Sequence, residues 1–372
     1  MEKQEKKPLS QRYEVGLMIV SVIIVAALVA GISIFPEKGK EVASAAMHMM
    51  TYTFGSTMQF ITVIILIFLV ALGFSKYGSI RLGKEKPDYK TSSWVAMMFF
   101  TGLGAGTVYW AFLEWGYHFN AVPQLEGAAV TEAYAYELSL AYAMFDWGPA
   151  AWALLCIFVL PFAYHYYVKN DKELRFSALC KYTVGDKAVK GLFGKVVDFI
   201  FIFAAIGSIC ITAGTSTSTV ASAVADLLGI SPSFALSVII LLGVSAVLQT
   251  LPFPKFAILL YLVVIILFLA TTLDSCSYTL ASTVSKGLKE GEEPKRGLKF
   301  VWCLIGVAIP LAITFAGTDI NTIKSVVLAT GLPLVIILAI IYYGFLREMK
   351  KDFGRKTQDQ IIAESELPEN AW

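Results

Sequence analysis

The sequence predicts an all-α polytopic membrane protein, and three observations predict it. Apolar residues make up 57% of the 372 residues, charged residues only 16%, and the mean hydropathy is +0.67, values that a water-soluble domain rarely reaches. Apolar runs of about 20 residues, the length a helix needs to cross the hydrocarbon core, recur along the whole chain. Lys and Arg crowd into some of the segments between these runs and avoid others, as expected when connections alternate between the two sides of a membrane.

About nine spans are expected, at 13–34, 51–75, 92–119, 136–167, 197–223, 234–251, 256–281, 298–317 and 322–346, each near the bilayer length. The first span follows Lys3, Lys6, Lys7 and Arg12 without a small-residue cleavage site, so it reads as a retained helix. The second leads into Lys76, Arg81, Lys84, Lys86 and Lys90, and the fourth into Lys169, Lys172, Arg175, Lys181, Lys187, Lys190 and Lys195. Segments 120–135 and 224–233 contain no Lys or Arg. The N-terminus and the loops after spans two and four are therefore expected to be cytoplasmic. The alternation fails once. The sixth span should end inside, near Lys255, so the seventh should emerge outside. Yet Lys286, Lys289, Lys295, Arg296 and Lys299 follow the seventh, and Arg347, Lys350, Lys351, Arg355 and Lys356 follow the ninth. Either the sixth or the seventh segment does not cross, or an odd number of spans is missing between them.

Within the third span stands Gly102-Leu103-Gly104-Ala105-Gly106. Each glycine weakens a helix by about 1 kcal/mol against alanine, and in lipid the freed peptide groups have no water to bond. Two readings stay open. The helix breaks there and lines a substrate or ion cavity, as discontinuous membrane helices do, or Gly102 and Gly106 form a GxxxG packing face. No strand precedes the glycines, which argues against a dinucleotide loop. Among the few polar residues at membrane depth are Glu114, Asp146 and the cluster Thr271, Thr272, Asp274, Ser275 and Ser277, with Asp198 at the mouth of the fifth span. An intramembrane carboxylate points to a functional site, whereas Asp198 reads as interfacial. Cys156, Cys180, Cys210, Cys276 and Cys303 have no paired spacing, and His48, His118 and His165 are scattered, which favours neither disulfides nor a metal centre. The net charge of +2 gives no reason to expect nucleic acid. No nucleophile–base pair or phosphate loop suggests an enzyme.

A glycine-broken third span, Trp147-Gly148 followed by Trp152 in the fourth, and Thr271-Thr272-Leu273-Asp274-Ser275 in a later one together resemble the betaine/carnitine/choline transporter (BCCT) family. Lys76-Tyr77-Gly78-Ser79-Ile80-Arg81-Leu82-Gly83, Leu192-Phe193-Gly194-Lys195-Val196-Val197-Asp198, Ser277-Tyr278-Thr279-Leu280-Ala281 and Gly291-Glu292-Glu293-Pro294 extend the likeness over most of the chain. The resemblance implies a LeuT-type inverted-repeat fold of twelve helices, here incomplete. It places a cytoplasmic N-terminus at 1–12, two peripheral helices at 13–75, first-repeat helices at 76–251, the last three helices at 252–346 and a cytoplasmic tail at 347–372. Helices seven to nine, roughly 130 residues at bilayer length, would be absent near 249–255, where the charge alternation also fails.

The resemblance further implies transport of quaternary ammonium compounds such as glycine betaine, choline or carnitine across the plasma membrane, coupled to Na+ or by exchange, and a homotrimer. A trimethylammonium group donates no hydrogen bonds and is held by aromatic faces. Trp147 and Trp152 match the family's cage. They lie roughly 140° apart on a straight helix, so they border one cavity only if Gly148-Pro149 bends it. Tyr109 and Trp110, with the peptide groups of Gly102, Gly104 and Gly106, would complete the substrate side. Asp146 stands where the family commonly has His, Ala150-Ala151 where it has a His-Pro-like pair, and Leu155 where it has Tyr. Asp146 could pair with the substrate cation or exchange a proton. Carbonyls of Phe100, Leu103 and Phe268 and hydroxyls of Thr271 and Thr272 would hold Na+, with Thr212 near a second site; the bland alternative is that the threonines bond their own helix. The Trp-rich eighth helix has no counterpart among the seven tryptophans. A non-transporting remnant or membrane scaffold is therefore the competing expectation. The tail turns from basic to acidic at Glu364, Glu366 and Glu369 and reads as a solvated, partly disordered end more readily than as a lipid-binding one.

Overall fold

The computed structural model describes residues 12–83, 89–102, 105–126, 130–228, 252–288, 292–315, 325, 327–328, 330 and 331–365. They are helical nearly throughout. In chain order the helices longer than two turns are α1 (Val15–Ile34), α2 (Pro36–His48), α3 (Phe54–Phe74), α4 (Thr91–Gly102), α5 (Ala105–Glu126), α6 (Glu132–Asp146), α7 (Pro149–Ala163), α8 (Leu192–Leu228), α9 (Pro254–Val284), α10 (Arg296–Phe315), α11 (Gly331–Phe353) and α12 (Gln358–Ser365). Among the described residues, six helical stretches are long and apolar enough to cross a membrane. Their outward faces carry large apolar side chains such as Ile23, Phe60, Ile67, Leu140 and Leu267, as a lipid-facing surface requires.

Two points differ from the sequence reading. The connection between the first two spans is itself helical: Pro36 opens α2 at its first turn, where a missing N–H costs nothing, and the π-turn at Met49–Thr53 joins it to α3. The start of the tail is ordered, not disordered: α12 buries Ile361, Gln358 donates to the Ser79 hydroxyl at 3.1 Å, and Lys356 pairs with Glu364. An apolar contact and a charge pair are enough to dock this short helix, whatever its average polarity. The sixth expected span, 234–251, lies outside the described residues.

The centre of the bundle is the antiparallel pair α8–α9. Near the start of α8, Ile202, Ile206 and Ile209 pack with Leu280, Ala281 and Val284 at the end of α9, together with Leu17 and Val25 of α1 and Trp302 of α10. At the other end, Ala223 packs with Ile258, Tyr261 and Ile265 near the start of α9. A second unit joins α3 and α7 to α11 through Ile65, Ala153, Ile157 and Leu338.

The basic segments meet at one end of the molecule. Asp198, buried at the start of α8, accepts from Arg175 Nη2 at 2.6 Å and Nε at 3.0 Å, and from the Ser177 N–H at 2.8 Å. Glu14 lies 3.7 Å from Arg175 and 3.3 Å from Lys286, while the Glu14 N–H donates to the Val284 carbonyl at 2.8 Å. Lys76 donates to the carbonyls of Gly354 and Lys356 at 2.8 and 2.9 Å. Lys169 bonds Glu348 at 3.0 Å and Asp352 at 2.8 Å. Burial opposes the charge on Lys169, but its hydrogen bonds to Asp352 and Glu348 outweigh that and raise its pKa above the ordinary lysine value. The N-terminal segment, the loops after α3 and α7, the end of α9 and the tail thus share one face. Since α8 runs away from that face and α9 runs back to it, both the end of α8 and the start of α9 lie on the opposite face. A single crossing by 234–251 would leave the chain on the wrong side for α9.

Candidate cation-binding site

The α5–α6 hairpin and the α6–α7 turn build the site. Thr131 caps α6 by accepting from the Tyr134 N–H at 3.3 Å, and Phe119 and Tyr136 pack across the hairpin with rings 4.5 Å apart. Helix α6 ends at Asp146, Gly148 is extended (φ −78°, ψ −173°), and Pro149 restarts the helix as α7. A Cβ on Gly148 would meet the Phe145 carbonyl oxygen at 2.9 Å, too close for an L side chain without a shift. The turn separates Trp147 from the helix that carries Trp152. The Trp152 indole N–H donates back to the Trp147 carbonyl at 2.9 Å, and both indoles remain partly open, at 37% and 39% exposure.

Three ionisable side chains converge beside Trp147. Its indole N–H donates to Glu114. His118, one turn beyond Glu114 on α5, has its Nε2 at 2.8 Å from Asp146 Oδ2 and its ring stacked on Tyr142 at 5.6 Å. One ligand atom from each of Glu114, His118 and Asp146 lies within 4.8 Å of the others, so the trio could hold a metal ion. The histidines are scattered in sequence, as read above, but the hairpin brings His118 between two carboxylates. The Glu114/His118 spacing of four residues was the available signal, since it places both on one helix face. An indole face bordered by carboxylates can hold an organic cation through both its π-surface and opposite charge.

Other expected residues fare differently. Trp110 lies against Tyr117 of its own helix, rings 5.5 Å apart. Gly102 closes α4 and Gly106 lies in the first turn of α5, but Leu103 and Gly104 lie outside the described residues, so the expected break rests on residues not described. Phe100 and Tyr109 are placed only along the backbone of α4 and α5. On α9, Thr271 and Thr272 both donate to the Phe268 carbonyl, at 2.9 and 2.8 Å. The threonines and this carbonyl are therefore together, in the back-bonded arrangement that intrahelical threonines adopt; each hydroxyl oxygen keeps lone pairs that can face a cation. Thr212 lies on α8. All five cysteines are free thiols.

A helical bundle with apolar outer faces, the described segments richest in Lys and Arg gathered at one end and an aromatic–carboxylate site at a helix break defines a multi-pass membrane protein of transporter type. The sequence model described as "BCCT, betaine/carnitine/choline family transporter" matches residues 16–248 and, separately, 242–354. The chain belongs to this family, whose role is transport. The "Uncharacterized transporter YeaV" of Escherichia coli (strain K12) is 24% identical, over 79% of this chain and 92% of its own length. The "Carnitine transporter" of Acinetobacter baumannii (strain ATCC 19606) is 21% identical, over 95% of this chain and 92% of its own. The latter alignment runs over 512 residues while this chain has 372, so at least 140 of its positions have no residue here. The family match divides at 242–248, beside the place where the charge alternation and the α8–α9 directions fall out of phase.

Proposed function

We propose that this chain is a secondary transporter of quaternary ammonium compounds (glycine betaine, choline or carnitine) in the plasma membrane, with the basic face cytoplasmic and with Na+ coupling or exchange driving uptake. The observation that carries the reading is Trp147, held at the α6–α7 break with its indole on Glu114 and Asp146 next to it in the chain, in a member of a family of transporters for such compounds. The relative named as a carnitine transporter supports the same substrate class. Thr271, Thr272 and the carbonyls of Phe268, Phe100 and Leu103 are the proposed Na+ ligands. Trp147, Trp152, Tyr109 and Trp110 are the proposed aromatic faces, and the peptide groups of Gly102, Gly104 and Gly106 the proposed polar contacts to the substrate.

The divided family match favours a second reading, a non-transporting remnant that keeps the bundle without the partner repeat needed for alternating access. Uptake of radiolabelled choline, glycine betaine and carnitine into vesicles containing only this chain separates the two. Saturable uptake of any of them, with or without a sodium gradient, supports transport; none under either condition supports the remnant.

A further inference from the structure

The charge around the site bears on which quaternary ammonium compound it takes, one step beyond the transport reading on which this rests. Glycine betaine and carnitine carry a carboxylate as well as a quaternary ammonium; choline carries only the ammonium and a hydroxyl. A zwitterion needs a positive partner for its carboxylate. Residues 91–168, 196–254 and 256–285 contain no Lys or Arg, so α4 to α7 and nearly all of α8 and α9 offer no permanent side-chain cation. Residues 91–168 instead hold Glu114, Glu126, Glu132, Glu137 and Asp146; Glu114 accepts from the Trp147 indole N–H, and a carboxylate oxygen of Asp146 lies within 4.8 Å of one of Glu114. With both carboxylates ionised, the trio carries net negative charge whichever form His118 takes. A trimethylammonium on this face is attracted in either state, while a carboxylate a few ångströms away meets like charge.

We propose that Glu114 and Asp146, with His118 fixing Asp146, make this a site for net-cationic quaternary ammonium alcohols of the choline type, and that they discriminate against zwitterionic betaines. The test is scintillation-proximity binding of tritiated choline to the full chain in lipid nanodiscs, competed by unlabelled choline and by glycine betaine. Unlabelled choline is expected to compete at a concentration at least tenfold lower than glycine betaine. Asp146→Asn and Glu114→Gln should each shrink that ratio at least threefold, and Asp146→Glu should keep it. Loss of all binding in both neutralised variants, with binding retained by Asp146→Glu, also supports the assignment. Glycine betaine competing as well as choline, or a ratio unmoved in both neutralised variants, overturns it and leaves the transport reading standing. No binding of tritiated choline by the unaltered chain also overturns the selectivity, and the uptake assay with all three compounds then decides the transport reading.

Discussion

Trp147 does two jobs that a substitution series can separate. Its ring offers a π-face, and its N–H holds Glu114. Trp147→Ala should weaken choline binding by about five- to thirtyfold, the worth of roughly 1–2 kcal/mol of cation–π attraction, while Trp147→Phe should recover part of the loss in the same nanodisc assay. Gly148→Ala should lower both the thermal midpoint and binding, because the new Cβ presses on the Phe145 carbonyl; a cost of about 1–2 kcal/mol is expected. Lys169 answers a different question. Its raised pKa means that its contribution to stability is complete below the unfolded lysine value of about 10.4 and is lost only as pH rises through the higher folded value. Lys169→Met leaves Glu348 and Asp352 without their shared cation and should lower the midpoint by about the equivalent of 2 kcal/mol. That difference should stay flat from about pH 7 to 9. At this scale the sequence was partly legible. Asp146, Trp147 and Glu114 stood out as polar or aromatic groups at membrane depth. His118 did not, because its meeting with Asp146 depends on the hairpin register and not on neighbouring residues.

Helix ends were read less closely than helix existence. The expected spans began at 136 and 256, whereas the Thr131 cap starts α6 earlier, Pro149 restarts the helix as α7, and Pro254 opens α9. Nothing in a mixed-charge stretch such as 36–48 distinguishes a loop from a helix with one half-wet face, so α2 went unread. Likewise, the docked α12 owes its order to Ile361 and to contacts with a distant loop. Element direction gives the sharpest test of topology. With cysteines introduced into a cysteine-free chain, Lys286→Cys and Lys169→Cys should react with a membrane-impermeant maleimide from one side, and Phe253→Cys from the other. Labelling of Phe253→Cys and Lys286→Cys from the same side would refute the crossing of α9. On the same helix, Thr271→Val and Thr272→Val should each raise the Na+ concentration for half-maximal uptake about tenfold, or 1.4 kcal/mol, if Na+ drives transport through these hydroxyls. Unchanged sodium dependence in both variants would remove them from the ion site.

For the whole molecule, three independent lines meet at one stretch: the charge pattern, the opposite directions of α8 and α9, and the family match that divides at 242–248. Charge counting could see the inconsistency because topology constrains every loop at once, whereas it could not see which segments pack together. The grouping of α3, α7 and α11 is an example. Ile65, Ala153 and Ile157 close against Leu338, and the Tyr342 hydroxyl donates to the Ile157 carbonyl at 2.6 Å. Ribosomes deliver these pieces in sequence, so α3 and α7 enter the bilayer long before their common neighbour is synthesised. During that interval the early helices must wait in lipid, and Lys169 waits beside them without its acidic partners on α11. A stop codon placed before residue 331 would make that waiting permanent, and such a product should be cleared rapidly by membrane quality control.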